Sequence, residues 1–359
     1  MVLSRRPPIP LRLFVAALCG ENGETSGEKR YLYGYGRQAL EDAYLLLGLE
    51  PGDEILYPDY ICDVTLVPCH RLGLKVKFYP VLDDLQPDWD ILERLITGKT
   101  RAALAVNYFG FPQDFDRWLN ICQAHGLWLV EDNAHGYGSR KNGVELGRWG
   151  HVGVASMHKV MPLLNGACLW VNHPELAAPS RRIPRTLRHA WGRSEWRALV
   201  RMILEWLHVP FRALRPAPLY EQMPPAEEHH SLPLAMNGLS RKLLKVTDNL
   251  AEEFRRRRQA IYRTWAELTG QWGLVPVFPT LPAGVSPQVF SCYAADSSQR
   301  QEWFSWGNRY GVDIHPWPSL PLEVRHQNGP ALQRWKRLLC FPIHQYMTLE
   351  ELYRLRYVT

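Results

Sequence analysis

The sequence predicts an α/β protein with a large domain, built on a mostly parallel, doubly wound sheet, and a smaller C-terminal α+β domain. Strand-like and helical segments alternate from about residue 36 to 175, the pattern changes after Val171, and short strands around a helix follow residue 270. A chain of 359 residues with 46% hydrophobic and 22% charged residues is long enough for two domains and too apolar to be disordered.

The first half of the chain supplies the alternation. Apolar residues at helical spacing predict a helix over residues 38–49, which ends at the turn signal Glu50-Pro51-Gly52-Asp53. Predicted strands and helices then alternate; the strands are 54–58, 75–79, 102–106 and 127–130, and the helices are 64–72, 89–96 and 115–125. Ligands of such sheets bind at the carboxyl ends of the strands, so Asp132 lies where chemistry is expected.

The second half divides the chain further. A long helix is predicted over 240–268, and strands near 275 and over 289–293, 312–314 and 338–341 flank a helix at 300–310. We therefore divide the chain into four parts: an N-terminal segment 1–30, a large α/β domain 31–178, an insertion 179–235 rich in Arg, Trp and Pro, and a small α+β domain 236–359.

Charge and cysteine content exclude several classes of protein. Residues 181–215 contain nine arginines and two glutamates, a net charge of +7 that accounts for the whole formal charge of +6, so we expect no nucleic-acid partner. Seven cysteines without a CxxC pair indicate a reducing compartment and no zinc site. The apolar run 13–19 is short for a signal peptide, and no run approaches the ~20 residues of a membrane span. We expect a soluble, cytoplasmic protein without a metal.

A glycine-containing turn, Gly34-Tyr35-Gly36-Arg37-Gln38-Ala39, opens the first predicted helix. Its G-x-G-x-x-A pattern is that of a dinucleotide site, but the charged residues Glu28-Lys29-Arg30 make a poor buried strand before it. A helix N-terminus exposes backbone N–H groups that suit any phosphate. An ordinary tight turn is the remaining alternative.

Two charged side chains follow predicted strands. An acid at the position of Asp132 needs a cationic partner, and a protonated pyridine nitrogen is one; capping of the next turn is the alternative. Lys159 follows the apolar stretch 152–155, where partial desolvation favours the neutral amine that imine chemistry requires. A solvated lysine at the end of a strand is the alternative. Ser156, three residues earlier, is a candidate phosphate ligand.

The order of these motifs resembles the DegT/StrS family of pyridoxal 5'-phosphate (PLP) dependent sugar aminotransferases. The resemblance is dense from about residue 30 to 172, thin from 237 onwards, and absent between. The matching segments are Gly36-Arg37-Gln38-Ala39-Leu40, Leu49-Glu50-Pro51-Gly52-Asp53-Glu54, Pro58-x-Tyr60, Asn107-Tyr108-Phe109-Gly110, Glu131-Asp132-Asn133-Ala134-His135, Gly138-Ser139, Gly147, Ser156-x-x-Lys159 and Pro342-Ile343-His344.

The resemblance implies a fold-type I homodimer that moves an amino group from glutamate to a keto sugar, usually nucleotide-linked. Position by position, it implies that Lys159 holds PLP as a Schiff base, that Asp132 pairs with the ring nitrogen, and that His135 lies near the phenolic oxygen. It further implies the phosphate ligands Gly36, Arg37, Gln38 and Ser156, and an aromatic that stacks on the ring, for which Tyr60 is favoured over Cys62.

Several positions depart from the family pattern. The lysine follows Ser156 by three residues where many members have five, Asn107 replaces a common His, and His151 replaces a common Asp. The presence of Lys159 disfavours the lysine-less dehydratases, which use His there. Three alternatives stay open: a PLP enzyme of the same fold that catalyses elimination or decarboxylation, a non-catalytic relative, and an NAD enzyme built on the glycine turn.

The segment 194–214 combines apolar residues at helical spacing with arginines. One interpretation is a helix that touches an anionic membrane surface. The other is a helix packed on a dimer partner or over the active site, which is the more frequent use of amphipathic helices.

Overall fold

The computed structural model describes residues 3–19, 30–176, 193–207, 223 and 235–357. A seven-stranded sheet forms the centre of the large domain, in the order β1-β9-β8-β5-β4-β2-β3. Its strands are β1 (Arg30–Tyr33), β2 (Glu54–Pro58), β3 (Lys75–Tyr79), β4 (Thr100–Val106), β5 (Trp128–Asp132), β8 (Val152–Ala155) and β9 (Ala167–Val171). The strands β6 (Arg140–Lys141) and β7 (Val144–Glu145) form a separate hairpin.

All strands of the large sheet except β9 run in one direction. Strands β3, β2, β4, β5 and β8 pair in parallel, β9 is antiparallel to both β8 and β1, and β1 therefore runs in the same direction as β8. This confirms the predicted mostly parallel α/β sheet. It also brings the carboxyl ends of β1, β5 and β8 to one edge, because parallel strands end on the same side of a sheet.

Helices surround this sheet and the smaller one. In chain order they are α1 (Leu11–Cys19), α2 (Gly36–Leu46), α3 (Val67–Leu72), α4 (Trp89–Arg94), α5 (Phe115–His125), α6 (Arg193–Trp206), α7 (Gly238–Thr247), α8 (Ala251–Gln271), α9 (Ser297–Tyr310), α10 (Leu322–Gln327), α11 (Pro330–Arg337) and α12 (Leu349–Tyr353). Asp88 and Asp114 cap the first turns of α4 and α5 by accepting from backbone N–H groups, which stabilises a helix by about 1 kcal/mol per cap.

A three-stranded antiparallel sheet organises the C-terminal part. It consists of β10 (Val275–Pro276), β11 (Val289–Tyr293) and β12 (Leu338–Pro342). Helix α8 packs on it through Trp265, which is fully buried, lies 4.9 Å from the Phe341 ring and donates to the Pro342 carbonyl at 2.9 Å. This is the predicted smaller α+β unit.

Three predicted elements differ from those observed. The helix predicted over 240–268 is two helices, since a 3-10 turn separates α7 from α8 at Asp248, whose carboxylate accepts from Tyr137 at 2.6 Å and pairs with Arg30. The strand predicted over 312–314 is reduced to isolated bridges, since Pro316 and Pro318, which follow directly, lack the N–H of a ladder. The helix predicted over 64–72 begins as a 3-10 turn.

The four-part division of the chain stays a prediction. Most of the predicted insertion 179–235 lies outside the described residues, apart from 193–207, 223 and 235. Within the described ranges, no helix is both long enough and apolar enough to cross a membrane. The seven cysteines, all in described segments, form no disulfide.

Candidate active site

The carboxyl edge of the large sheet gathers most of the predicted site residues. Asp132 is the last residue of β5, Ser156 directly follows β8, and Lys159 ends the 3-10 turn Met157–Lys159 that comes next. Gly36 begins α2, beyond the end of β1. The direction of β1, β5 and β8 therefore explains why residues far apart in sequence meet here.

Gly36 lies directly against the side chain of Ser156. A Cβ placed on Gly36 would lie 2.6 Å from the Ser156 Oγ, closer than real Cβ atoms come to another atom. The φ of Gly36 is not in the left-handed region, so glycine is required here by space and not by backbone conformation. The first turn of α2 and the Ser156 hydroxyl thus form a small cradle of hydrogen-bond donors, of the kind that binds phosphate.

The other two predicted phosphate ligands lie in the same turn. The side-chain amide oxygen of Gln38, Oε1, accepts a hydrogen bond from the Tyr35 backbone N–H at 3.0 Å, so this side chain caps the start of α2. Arg37 is half-buried in the first turn. The side-chain oxygen of Gln38 thus stabilises the start of the helix. The binding of phosphate by Arg37 and Gln38 stays a prediction.

Asp132 is buried, with 4% of its surface exposed. One carboxylate oxygen accepts from the Ala134 N–H at 2.8 Å, so the turn cap considered from the sequence is present. Burial raises the pKa of Asp132, whereas the positive charge of Lys159 and this hydrogen bond lower it. This electrostatic interaction indicates that Lys159 lies near Asp132, and the second carboxylate oxygen gives the acid capacity for a cationic N–H donor.

His135 is held in its neutral form. Burial lowers its pKa well below the usual value, and the charges of Lys159 and His315 lower it further. Its Nδ1 accepts from the Phe109 N–H at 3.3 Å, which places the single proton of the neutral ring on Nε2. The Phe109 ring stacks on it with 5.8 Å between centroids. His135 is therefore an Nε2–H donor of fixed orientation.

Phe109 has the left-handed backbone conformation, with φ 55°, that non-glycine residues rarely adopt. Two hydrogen bonds hold it: its N–H donates to His135, and its carbonyl accepts from the Gln288 N–H at 2.9 Å. Gln288 immediately precedes β11. The strained turn thus joins the wall of the site to the small sheet, and strain of this kind is typical of functional sites.

The side chains of the adjacent residues His158 and Lys159 have different surroundings. The His158 ring lies 5.6 Å from the Tyr35 ring, and its Nδ1 is 3.1 Å from the Gly166 carbonyl. Burial lowers its pKa to about 3, and the charges of Arg6 and Lys159 act in the same direction. Lys159, by contrast, is half-buried and acts electrostatically on both Asp132 and His135.

Glu131 is fully buried next to Asp132 and organises the loop behind the site. It accepts from the backbone N–H groups of Gly147, Trp149 and Gly150 at 2.6, 2.8 and 3.2 Å, and from the Asn107 side chain at 2.8 Å. Burial raises its pKa, and these four bonds lower it. Glu131 therefore fixes the backbone at the end of β5, a role that the sequence analysis did not assign.

Tyr60 is fully buried outside the Gly36–Ser156 cradle. Its ring stacks on Trp317 at 5.0 Å and lies 5.3 Å from the Arg334 guanidinium. The stacking of Tyr60 on a cofactor ring stays a prediction. Cys62, the alternative position, is half-buried.

Sequence reasoning missed Trp317 and His315. The Trp317 ring lies 5.4 Å from both His135 and Phe109, and the His315 charge acts on His135. The segment His315-Pro316-Trp317-Pro318 carried a usable signal, because prolines on both sides of an aromatic residue are typical of a rigid loop.

The comparison of sequences finds one family model that matches part of the chain. Residues 34–198 match the model of the DegT/DnrJ/EryC1/StrS aminotransferase family, a range that includes every residue of the site except His315 and Trp317. This part of the chain is similar to that family. The match starts at the glycine turn and includes the Ser156–Lys159 segment.

The proteins that are similar to this chain in sequence include enzymes of two reaction types. The GDP-4-keto-6-deoxy-D-mannose 3-dehydratase of Yersinia pseudotuberculosis is 35% identical over 129 residues, which are 35% of this chain and 33% of that enzyme. The dTDP-3-amino-3,4,6-trideoxy-alpha-D-glucose transaminase of Streptomyces venezuelae is 31% identical over 157 residues, 41% of this chain and 40% of the other. The chain thus matches well under half the length of these relatives.

The fold is similar to that of a solved aminotransferase over a much larger part of the chain. Helicobacter pylori PseC, an aminotransferase involved in the biosynthesis of pseudoaminic acid, superposes with a TM-score of 0.74 at 16% identity and covers 99% of this chain and 98% of its own. This confirms the fold-type I aminotransferase fold predicted from the sequence.

The donor set fits the cofactor on which DegT family aminotransferases depend. A phosphate would find backbone N–H groups and the Ser156 hydroxyl in a cradle that a single Cβ would fill, a ring nitrogen would find the buried Asp132, and an aldehyde would find the Lys159 amine. His135 would supply a neutral donor.

Proposed function

We propose that the protein is a PLP-dependent aminotransferase that moves an amino group from glutamate to a keto sugar linked to a nucleotide. The observation that carries this proposal is the electrostatic interaction of Lys159 with the buried Asp132, beside the Gly36–Ser156 cradle. The names of the relatives support a nucleotide-linked sugar as the acceptor, since they refer to GDP- and dTDP-sugars.

Each site residue has a distinct task in this proposal. When bound, PLP supplies an electron-accepting ring, and Asp132 keeps its nitrogen protonated. The Lys159 amine would hold the cofactor through its aldehyde, and with the amino donor present its Nζ would act as the base that takes the proton from the donor's α-carbon. The low pKa of His135 keeps it a neutral Nε2–H donor toward the phenolic oxygen at neutral pH.

The proposal includes a homodimer in the cytoplasm, as the family resemblance implies. Glu131 and the turn at Phe109 hold the site walls before any substrate arrives. Preorganised walls of this kind reduce the entropy that substrate binding must overcome.

The test is a two-stage assay with the full chain. PLP-loaded protein and glutamate should yield 2-oxoglutarate in one equivalent without acceptor, and in many turnovers with the correct nucleotide keto-sugar from a panel. The sugar product, weighed by mass spectrometry, should carry the amino group. Lys159→Ala is the inactive control, and His158→Ala should stay active. Absence of 2-oxoglutarate from loaded protein would overturn the proposal.

A second candidate function is dehydration of a keto-sugar, because one relative is named as a 3-dehydratase. The surroundings of His158 do not favour it, since this ring packs on Tyr35 and faces the Gly166 carbonyl. In the same assay a dehydratase would release a sugar that has lost water and gained no nitrogen, and His158→Ala would abolish that product.

A further inference from the structure

The large apolar side chains that solvent reaches are concentrated on two neighbouring helices. Of the fourteen such exposed side chains in the described part of the chain, seven lie on α1, on α6 or directly after α6. They are Leu11, Val15, Leu18, Trp196, Val200, Ile203 and Leu207. We call this set the α1–α6 face. Contiguous exposed apolar patches on a protein mark sites of interaction with another surface.

The members of the α1–α6 face form one stripe on each helix. On α6, Trp196, Val200, Ile203 and Leu207 are spaced four, three and four residues apart, which places them on one side of a helix. On α1, Leu11, Val15 and Leu18 follow the same spacing. Leu207 is 67% exposed, and Leu11 and Trp196 are each 55% exposed.

The two stripes lie on helices that contact each other. The helices touch through Phe14 and Trp206, whose rings are 5.1 Å apart, and the Trp206 indole N–H donates to the Ile9 carbonyl at 2.7 Å. On α1, Phe14 lies between the buried side of the helix, which includes Leu13, and the exposed stripe. On α6, Trp206 lies between the buried side, which includes Met202, and the exposed stripe. Because both buried sides face the protein, both stripes face away from it, on either side of the Phe14–Trp206 contact.

Positive charge accompanies the apolar stripes. Arg12 and Arg197 are exposed and directly follow Leu11 and Trp196. In the sequence around α6, residues 181–215 contain nine arginines and two glutamates, a net charge of +7. Long arginine side chains beside an apolar stripe can extend to the headgroups of a lipid surface while the stripe enters the acyl boundary.

We propose that the α1–α6 face binds the surface of an anionic membrane. Apolar residues that include Trp, flanked by arginines, are the composition of helices that lie in a lipid interface. The sequence segment 181–215, to which α6 belongs, carries a net charge of +7, and this charge favours an anionic lipid surface over a second copy of the same basic segment. The proposal is independent of the catalytic assignment.

The test is flotation of the full chain with lipid vesicles in a density gradient. The protein should float with vesicles of phosphatidylglycerol and phosphatidylcholine, stay at the bottom with pure phosphatidylcholine, and detach as salt is raised, because each arginine near the surface contributes a screened attraction. Val200→Glu combined with Ile203→Glu should lower the partition coefficient at least about tenfold. Val275→Glu, at an exposed apolar position on β10, should leave it unchanged.

Three outcomes would overturn the proposal. The wild-type protein fails to float with anionic vesicles; it floats equally well with pure phosphatidylcholine; or the paired Glu substitutions leave flotation unchanged and instead lower the molecular mass measured by sedimentation, which would make the face an interface between protein copies. The salt series on wild-type protein needs no variant, so misfolding of a variant cannot obscure the result.

Discussion

The substitution Gly36→Ala tests the phosphate cradle with the smallest possible change. The added Cβ would lie 2.6 Å from the Ser156 Oγ, so the hydroxyl must rotate away from the start of α2. A hydrogen bond between Ser156 and a phosphate is then lost, worth roughly 1.5–3 kcal/mol because the acceptor is charged. We expect the dissociation constant of pyridoxamine phosphate, which forms no bond with Lys159, to rise roughly ten- to a hundredfold.

The assay is a titration followed by equilibrium dialysis, paired with unfolding in urea. Stability should change by less than about 1 kcal/mol, because Gly36 has no left-handed φ and alanine suits a helix better than glycine. Gly98→Ala, at a position with open space, is the matched control and should bind normally. Adding Ser156→Ala to Gly36→Ala should raise the dissociation constant little further, because both substitutions remove the same hydrogen bond to the phosphate. An unchanged dissociation constant for Gly36→Ala would refute the cradle.

Three further predictions concern buried charges. Glu131→Gln places an amide among four N–H donors, so we expect the free energy of unfolding measured in urea to fall by about 3 kcal/mol. Glu93→Gln, at an exposed position, is the control and should leave that free energy unchanged. Equal effects of the two substitutions would contradict the role assigned to Glu131. Asp132→Asn should keep the cofactor bound yet slow transamination at least roughly a hundredfold, and near-normal turnover would remove this acid from the mechanism. Burial and the Arg258 charge lower the pKa of His344 to about 3, so as pH falls below about 6.5 the unfolded chain binds a proton that the folded chain does not. Stability relative to His344→Asn should therefore fall by about 1.4 kcal/mol per pH unit, and a difference independent of pH would disprove this.

The sequence predicted those parts of the site that depend on strand ends. Asp132 ends β5 and Ser156 directly follows β8; both strands have clear apolar patterns, and their parallel pairing brings their ends together. The glycine turn is predicted from its sequence to bind phosphate, and the structure brings Ser156 next to it. The dinucleotide interpretation loses support from the structure, since β1 is an edge strand paired antiparallel to β9 and not a central parallel strand.

The rest depends on contacts that no local pattern contains. Tyr60 is favoured for stacking because it is aromatic and near the right position; in the structure its ring contacts Trp317 and Arg334, and its stacking on a cofactor stays a prediction. Trp317 and His315 approach His135 from a loop about 180 residues later in the chain, and only the folded structure shows that proximity. The different surroundings of His158 and Lys159 likewise depend on the fold, because adjacent residues in a 3-10 turn point in different directions.

The most direct test of the catalytic assignment is chemical trapping of the cofactor. PLP-loaded protein is reduced with borohydride, digested and analysed by mass spectrometry. We predict one pyridoxyl group on the peptide that contains Lys159, retained in His158→Ala and absent from Lys159→Ala. A label on another lysine, or unlabelled protein after full loading with PLP, would contradict the account.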